Sequence, residues 1–143
     1  MSSGIPETLT IESNKLVISE WEGQLLKLSM RKRLIHKHSS NKITAIRAKY
    51  APQKEVIKNQ INSLDDDASS DEYRKLAAEL QDLENLEDQE IKAEEEQVSQ
   101  EESDIDFEMD HIEARKKAAQ EDTESLKEMR KQNLQSSFGY FQS

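Results

Sequence analysis

Six apolar residues recur at strict intervals of seven: Ile91, Val98, Ile105, Ile112, Ala119 and Leu126. Seven residues make two turns of an α-helix, so this series is one narrow stripe on one helix face, and it calls for a packing partner. A competing period crosses it. In "SDIDFEMDHIEA" (103–114), Ile105, Phe107 and Met109 alternate with Asp104, Asp106, Glu108 and Asp110, the period-2 pattern of a half-buried strand. The alternation stops at Asp110, and no Gly, Pro or Asn punctuates it as a strand would require. Helix is therefore expected, with Phe107 off the seam as an exposed or partner-facing aromatic.

A chain this thin in apolar residues suits long helices with narrow seams. Of 143 residues, 34% are hydrophobic and 35% charged, with three Gly and two Pro. A compact globule carries about half apolar and about a quarter charged. The alternative for such a composition is a partly disordered acidic chain. There is no cysteine, which excludes disulfides and thiol chemistry.

A second seven-residue series, Ile43, Tyr50, Ile57 and Leu64, with Ile46 and Ile61 beside it, marks an earlier seam helix. Pro52 lies inside it. A proline removes a backbone donor and clashes with the preceding turn, so a kink or break is expected near residue 52. After Leu64, "DDDASSDE" reads as an acidic turn over 65–71, with Ser70 or Asp71 placed to cap a second helix. That helix, expected over 72–135, opens with Tyr73, Leu76, Leu80 and Leu83, continued by Leu86. Its seam is half-filled from about Glu87 to Glu124, because Glu94/Glu95, Glu101/Glu102, Glu108/Met109 and Arg115/Lys116 occupy the companion positions. A two-stranded coiled coil wants both positions apolar, so this helix needs a partner with its own ridge.

The N-terminal third is less regular. Leu9/Ile11 and Leu16/Ile18 at two-residue spacing suggest a small hairpin or an extended arm over residues 1–18. Residues 19–64 read as basic amphipathic helix, marked first by Trp21, Leu25, Leu28 and Ile35. A break is expected at "HSSN" (38–41). The overall expectation is an all-α, elongated helical hairpin or coiled coil with a long charged C-terminal helix.

Charge is split along the chain. Residues 1–60 carry 11 Lys/Arg against 5 Asp/Glu, and residues 61–143 carry 9 against 25. Folding the helix that ends at Leu64 back onto the next one would set Lys42, Arg47, Lys49, Lys54 and Lys58 beside an acidic arm. The same pairing between two chains fits the sequence equally well. Exposed ion pairs are worth about 0–1 kcal/mol each, so they would select register while the apolar seam supplies stability.

Motifs that carry chemistry are scarce. Counted from Asp65 as a calcium loop, the sixth residue is Ser70 where Gly is needed and the twelfth is Leu76 where Glu is needed. Asp106 and Asp110 share a helix face, but His111 points about 100° away, so a solvated acidic face is the expected role rather than a metal site. There is no Gly-rich phosphate loop, nucleophile elbow or His-acid-Ser constellation. No enzyme activity and no cofactor are expected. The basic stretch Arg31, Lys32, Arg33 and Lys37 offers a phosphate or anionic-lipid patch, set against the blander role of a solvated face pairing with the acidic helix. The acidic surplus disfavours nucleic acid.

Three of the seven aromatics fall in the last six residues, where Phe138, Tyr140 and Phe141 form a docking tail over 136–143. Gly139 is placed to close the helix in a left-handed cap. Trp21, Phe107 and these three are the candidate partner contacts. No run of about 18 apolar residues and no signal-peptide pattern appears. The chain is thus expected to be soluble, cytoplasmic or within a virion or other assembly, and not a cleaved secretory protein.

These readings converge on a non-enzymatic structural subunit of a larger assembly, such as a phage virion or secretion-type apparatus, binding protein partners as a homo- or hetero-oligomer. The alternative is an adaptor or chaperone that covers a client with the thin-seamed acidic helix.

Overall fold

The computed structural model describes residues 5–65 and 69–142, with side chains described over 6–65 and 69–139. Two α-helices, α1 (Ile5–Asn62) and α2 (Ser70–Gln142), pack antiparallel as an all-α hairpin, with no strand among the described residues. Residues 103–114 are helical, so the seven-residue period prevails over the alternation.

By contact the chain divides into two compact units, Lys32–Ser103 and Met1–Arg31 with Asp104–Ser143. We call them the turn unit and the terminal unit.

In the turn unit, the α1 face that meets α2 runs Ser39, Ile43, Ile46, Tyr50, Lys54, Ile57, Ile61 and Leu64, in steps of three and four. Tyr50 and Ile57 are buried and the other apolar members half-buried. From α2 come Leu76, Leu80, Leu83, Glu87, Ile91, Glu94 and Val98. Leu86 does not continue the seam. It is 48% exposed, and Glu87, one residue on, is buried in its place. From Leu83, steps of three and four reach Leu86 and Glu87 respectively, and a lysine on α1 selects the second. Tyr73, expected on the seam, is 55% exposed, because α1 has already ended at Asn62.

The turn is fixed locally. The Ser63 amide donates to the Asn59 carbonyl at 2.9 Å and the Leu64 amide to the Ile61 carbonyl at 3.2 Å. The cap of α2 is Ser69 rather than Ser70 or Asp71, its Oγ accepting from the Glu72 amide at 3.2 Å. Ser69 and Glu72 have capping-box spacing, and Asp71 and Glu72 complement the positive end of the helix. Residues 66–68 of the expected acidic turn lie outside the described residues.

In the terminal unit, α1 offers Glu7, Ile11, Asn14, Ile18, Trp21, Leu25 and Leu28, alternating steps of four and three. They meet Ile105, Met109, Ile112, Lys116, Ala119, Thr123, Leu126, Arg130 and Asn133 of α2. Ile11 and Ile105, at opposite ends of this seam, are its most deeply buried side chains, 2% and 3% exposed.

Several expectations are corrected. Residues 5–18 are helix, not an arm or β-hairpin; residues 1–4 lie outside the described residues. The two-residue spacing there arises from two interleaved series of seven. Ile11, Ile18 and Leu25 face α2, while Leu9, Leu16, Gly23 and Met30 point the opposite way, with Leu9 and Leu16 66% and 74% exposed. There is no break at 38–41. Ser39 is buried on the seam and the Ser40 carbonyl accepts from Thr44 Oγ1 at 3.0 Å, so packing overrides weak local helix propensity. Helix α1 also runs unbroken through Pro52, flanked by buried Tyr50 and Ile57. Helix α2 continues through Gly139 to Gln142, so the segment from 136 onward is helix rather than a capped-off tail.

Candidate functional site

The polar contacts between α1 and α2 in the turn unit form a ladder. Lys54 Nζ lies 2.6 Å from Glu87 Oε2, Lys49 Nζ 3.0 Å from Glu90 Oε1, and Lys42 Nζ 3.9 Å from Glu94 Oε2; His36 Nε2 pairs with Glu102. Glu87, Glu94 and Glu101 recur every seven residues at the companion positions of the α2 seam. At Glu87 and Glu94 the half-filled seam is thereby completed by acids that meet α1 bases, their carboxylates reaching Lys54 and Lys42. Arg47 lines a shallow groove with Glu95 and Glu102, and Lys58 is exposed.

The centre of the ladder is a three-residue cluster. Tyr50 Oη donates to Glu90 Oε1 at 2.8 Å, and the Lys49 ammonium sits 5.1 Å from the centroid of the same ring. The hydrogen bonds from Tyr50 and Lys49 hold the Glu90 carboxyl below its ordinary value. The bond to Glu90 in turn raises both the Lys49 ammonium and the Tyr50 phenol, and the contact with Glu87 raises Lys54.

The seam is thinnest where Ser39 faces Val98. Two grooves, of 480 and 440 Å³, open on either side of this pair, one lined by Ile35, Lys42 and Glu94, the other by Ile43, Arg47 and Glu102.

Polar contacts also cross between the helices in the terminal unit. Asn14 Nδ2 donates to Asp122 Oδ2 at 2.8 Å, Asn133 Nδ2 to Glu7 Oε1 at 3.2 Å, and Lys116 Nζ lies 3.8 Å from Glu22 Oε1. Thr123 is buried and donates to the Ala119 carbonyl at 2.8 Å.

Among the expected seam residues, Ile43, Ile46, Tyr50, Ile57, Ile61, Leu64, Leu76, Leu80, Leu83, Ile91, Val98, Ile105, Ile112 and Leu126 are buried or half-buried on the mating faces, and Tyr73 is not. The partner candidates divide. Trp21 is half-buried on the α1 seam, whereas Phe107 and Phe138 are 75% and 68% exposed. These two phenylalanines are not brought together, since 31 residues of one continuous helix separate them, about 45 Å at 1.5 Å per residue. The side chains of Tyr140 and Phe141 lie outside the described residues. In the basic stretch Arg31, Arg33 and Lys37 are exposed and Lys32 is half-buried.

Residues that sequence reasoning passed over are Ser39, Glu87, Thr123, Asn14 and Glu7, polar side chains on mating faces. Only the three-four spacing from their apolar neighbours would have found them. Among the described residues no group of three His, Asp or Glu side chains is arranged to hold a metal, and no helix is long and apolar enough to cross a membrane. The fold and these contacts define the chain as a charge-registered helical hairpin. Comparison with family models, curated proteins and solved structures found no match.

Proposed function

We propose that this chain is a non-enzymatic structural subunit of a larger protein assembly, of the phage-virion or secretion-apparatus kind. Its two helices give it a helical framework, and exposed aromatics on α2 dock into partners. The observation that carries this reading is the exposure of Phe107 where the α2 seam is occupied by α1, joined by that of Phe138 beyond the Asn133–Glu7 contact. Large aromatics left in water while leucine and isoleucine fill the seam have the chemistry of interface anchors. Phe138 lies on the last turns of α2 within the terminal unit, with Tyr140 and Phe141 following it in sequence.

The alternative is an adaptor or chaperone covering a client with the acidic helix, which would need that helix to be available. Here its companion positions Glu87 and Glu94, and Glu90 beside the seam, are engaged by Lys54, Lys42 and Lys49 of the same chain, which favours the structural reading. For the basic stretch, the net charge of −10 on the whole chain weighs against nucleic acid as a partner.

The test is stoichiometry. A structural subunit stays at a fixed ratio to the other components through purification of the finished assembly, and Phe138→Ser or Phe107→Ser lowers its incorporation. An adaptor is released and is missing from the finished particle. Loss of the chain from the purified assembly, or incorporation indifferent to both substitutions, would overturn the proposal.

A further inference from the structure

Helix α1 carries a second apolar stripe that nothing within its unit covers. Leu9, Leu16, Gly23 and Met30 recur every seven residues on the side away from α2, with Leu26 adjoining. Leu9, Leu16, Leu26 and Met30 are 66%, 74%, 63% and 53% exposed. A side chain placed at Gly23 would meet nothing within 4 Å, so the middle of the stripe is open backbone. Every member lies between residues 5 and 31 of the terminal unit.

We infer that this stripe pairs with the same stripe of a second copy, antiparallel, about a two-fold axis at Gly23. The rim charges select this arrangement. Glu20 and Lys27 are both exposed, seven residues apart on one flank of the stripe, three residues before and four after Gly23. In an antiparallel pair the same flank of each helix faces its twin, so Glu20 of one copy meets Lys27 of the other, twice by symmetry. A parallel pair would face this flank with the row of Glu12, Ser19 and Leu26 and would form neither ion pair.

Shape agrees with charge. With the two-fold axis at Gly23 the backbones approach most closely where no Cβ intervenes, Leu16 covers Met30 of the second copy, and Leu26 lies over Ser19. Leu9 lies beyond this central stretch. An isologous contact of this kind closes at two chains and does not propagate into a fibre. It uses none of the α2 aromatics, so it stands or falls separately from the docking role given to Phe107 and Phe138.

The chain has no cysteine, which makes single-cysteine cross-linking of the full protein decisive. On a two-fold axis residue 23 faces its own symmetry mate, so Gly23→Cys should oxidise to a covalent dimer. Leu16 and its mate lie roughly 20 Å apart, 14 residues at 1.5 Å, far beyond the about 7 Å a disulfide spans, so Leu16→Cys should not. A parallel dimer would link both variants and a dimer through another face neither; either result overturns the proposal. Sedimentation equilibrium supplies the second arm. Glu20→Lys and Lys27→Glu, with helicity checked by circular dichroism, should each weaken dimerisation by roughly fivefold, and the double exchange should restore it. A wild-type chain that stays monomeric at millimolar concentration, or a double exchange that rescues nothing, also overturns it.

Discussion

Tyr50 Oη and Lys49 Nζ converge on one oxygen, Glu90 Oε1, at 2.8 and 3.0 Å. Neighbouring residues on α1 thus grip a single carboxylate on α2. Tyr50 packs its ring into the seam and Lys49 stays at the rim, so the contact couples apolar burial to charge selection. Tyr50→Phe keeps the ring and deletes the donor. It should lower Tm by roughly 2–5 °C, the loss expected for one hydrogen bond in a domain of this size. An unchanged Tm in thermal circular dichroism would mean water replaces the phenol without cost.

The pH dependence arises from the same cluster. Glu90 is lowered from 4.5 in the fold, so its contribution is present above that value and is lost as the pH falls through the lowered one. Tyr50 is raised from 10.0 and Lys49 and Lys54 from 10.5, so theirs is present below those values and lost as the pH rises through the raised ones. The contribution of these four groups should therefore be flat between about pH 5 and pH 9.5 and fall at both ends. Glu90→Gln should soften the acid limb and part of the alkaline limb, while Lys54, paired to Glu87, keeps its share. An acid limb unaltered in Glu90→Gln would remove Glu90 from this account.

Burial separates two apolar residues only two positions apart. Ile105 is 3% exposed and Phe107 75% exposed. Ile105→Ala should cost about 2–4 kcal/mol by urea unfolding, whereas Phe107→Ala should stay within about 0.5 kcal/mol. Equal losses would show that Phe107 is covered in solution, by a second chain or otherwise.

Pro52 is an exposed proline inside a continuous helix. It lacks the amide that would bond back one turn, and its ring crowds that carbonyl. Pro52→Ala should raise stability by about 1–3 kcal/mol and leave helicity unchanged or higher. No gain in urea unfolding would mean that the proline geometry is matched by a local adjustment that alanine does not need.

Much of this fold was legible in the chain. The series Ile43, Tyr50, Ile57, Leu64 and the series from Ile91 to Leu126 specified two seam helices. The basic first half and acidic second half anticipated the pairing of Lys42, Lys49 and Lys54 with Glu94, Glu90 and Glu87. Periodicity is a property of spacing alone, and spacing is written in the sequence.

Other features depended on the partner helix. Whether Leu86 or Glu87 continues the seam turns on Lys54, which is distant in sequence. Ser39, Ser40 and Asn41 have the propensities of a break, yet burial of Ser39 against α2 outweighs them. Residues 9–18 looked strand-like because two helical stripes, one buried and one exposed, were superimposed in a single string. Spacing and charge were enough to make the chain all-helical with opposed charge in its two halves, because a seven-residue repeat and a charge count need no third dimension. The packed hairpin was needed to settle that the seam closes within one chain, which polar residues lie inside it, and which of the two N-terminal stripes is covered. Those outcomes depend on side chains far apart in the sequence meeting across the hairpin, and local propensity does not encode the meeting.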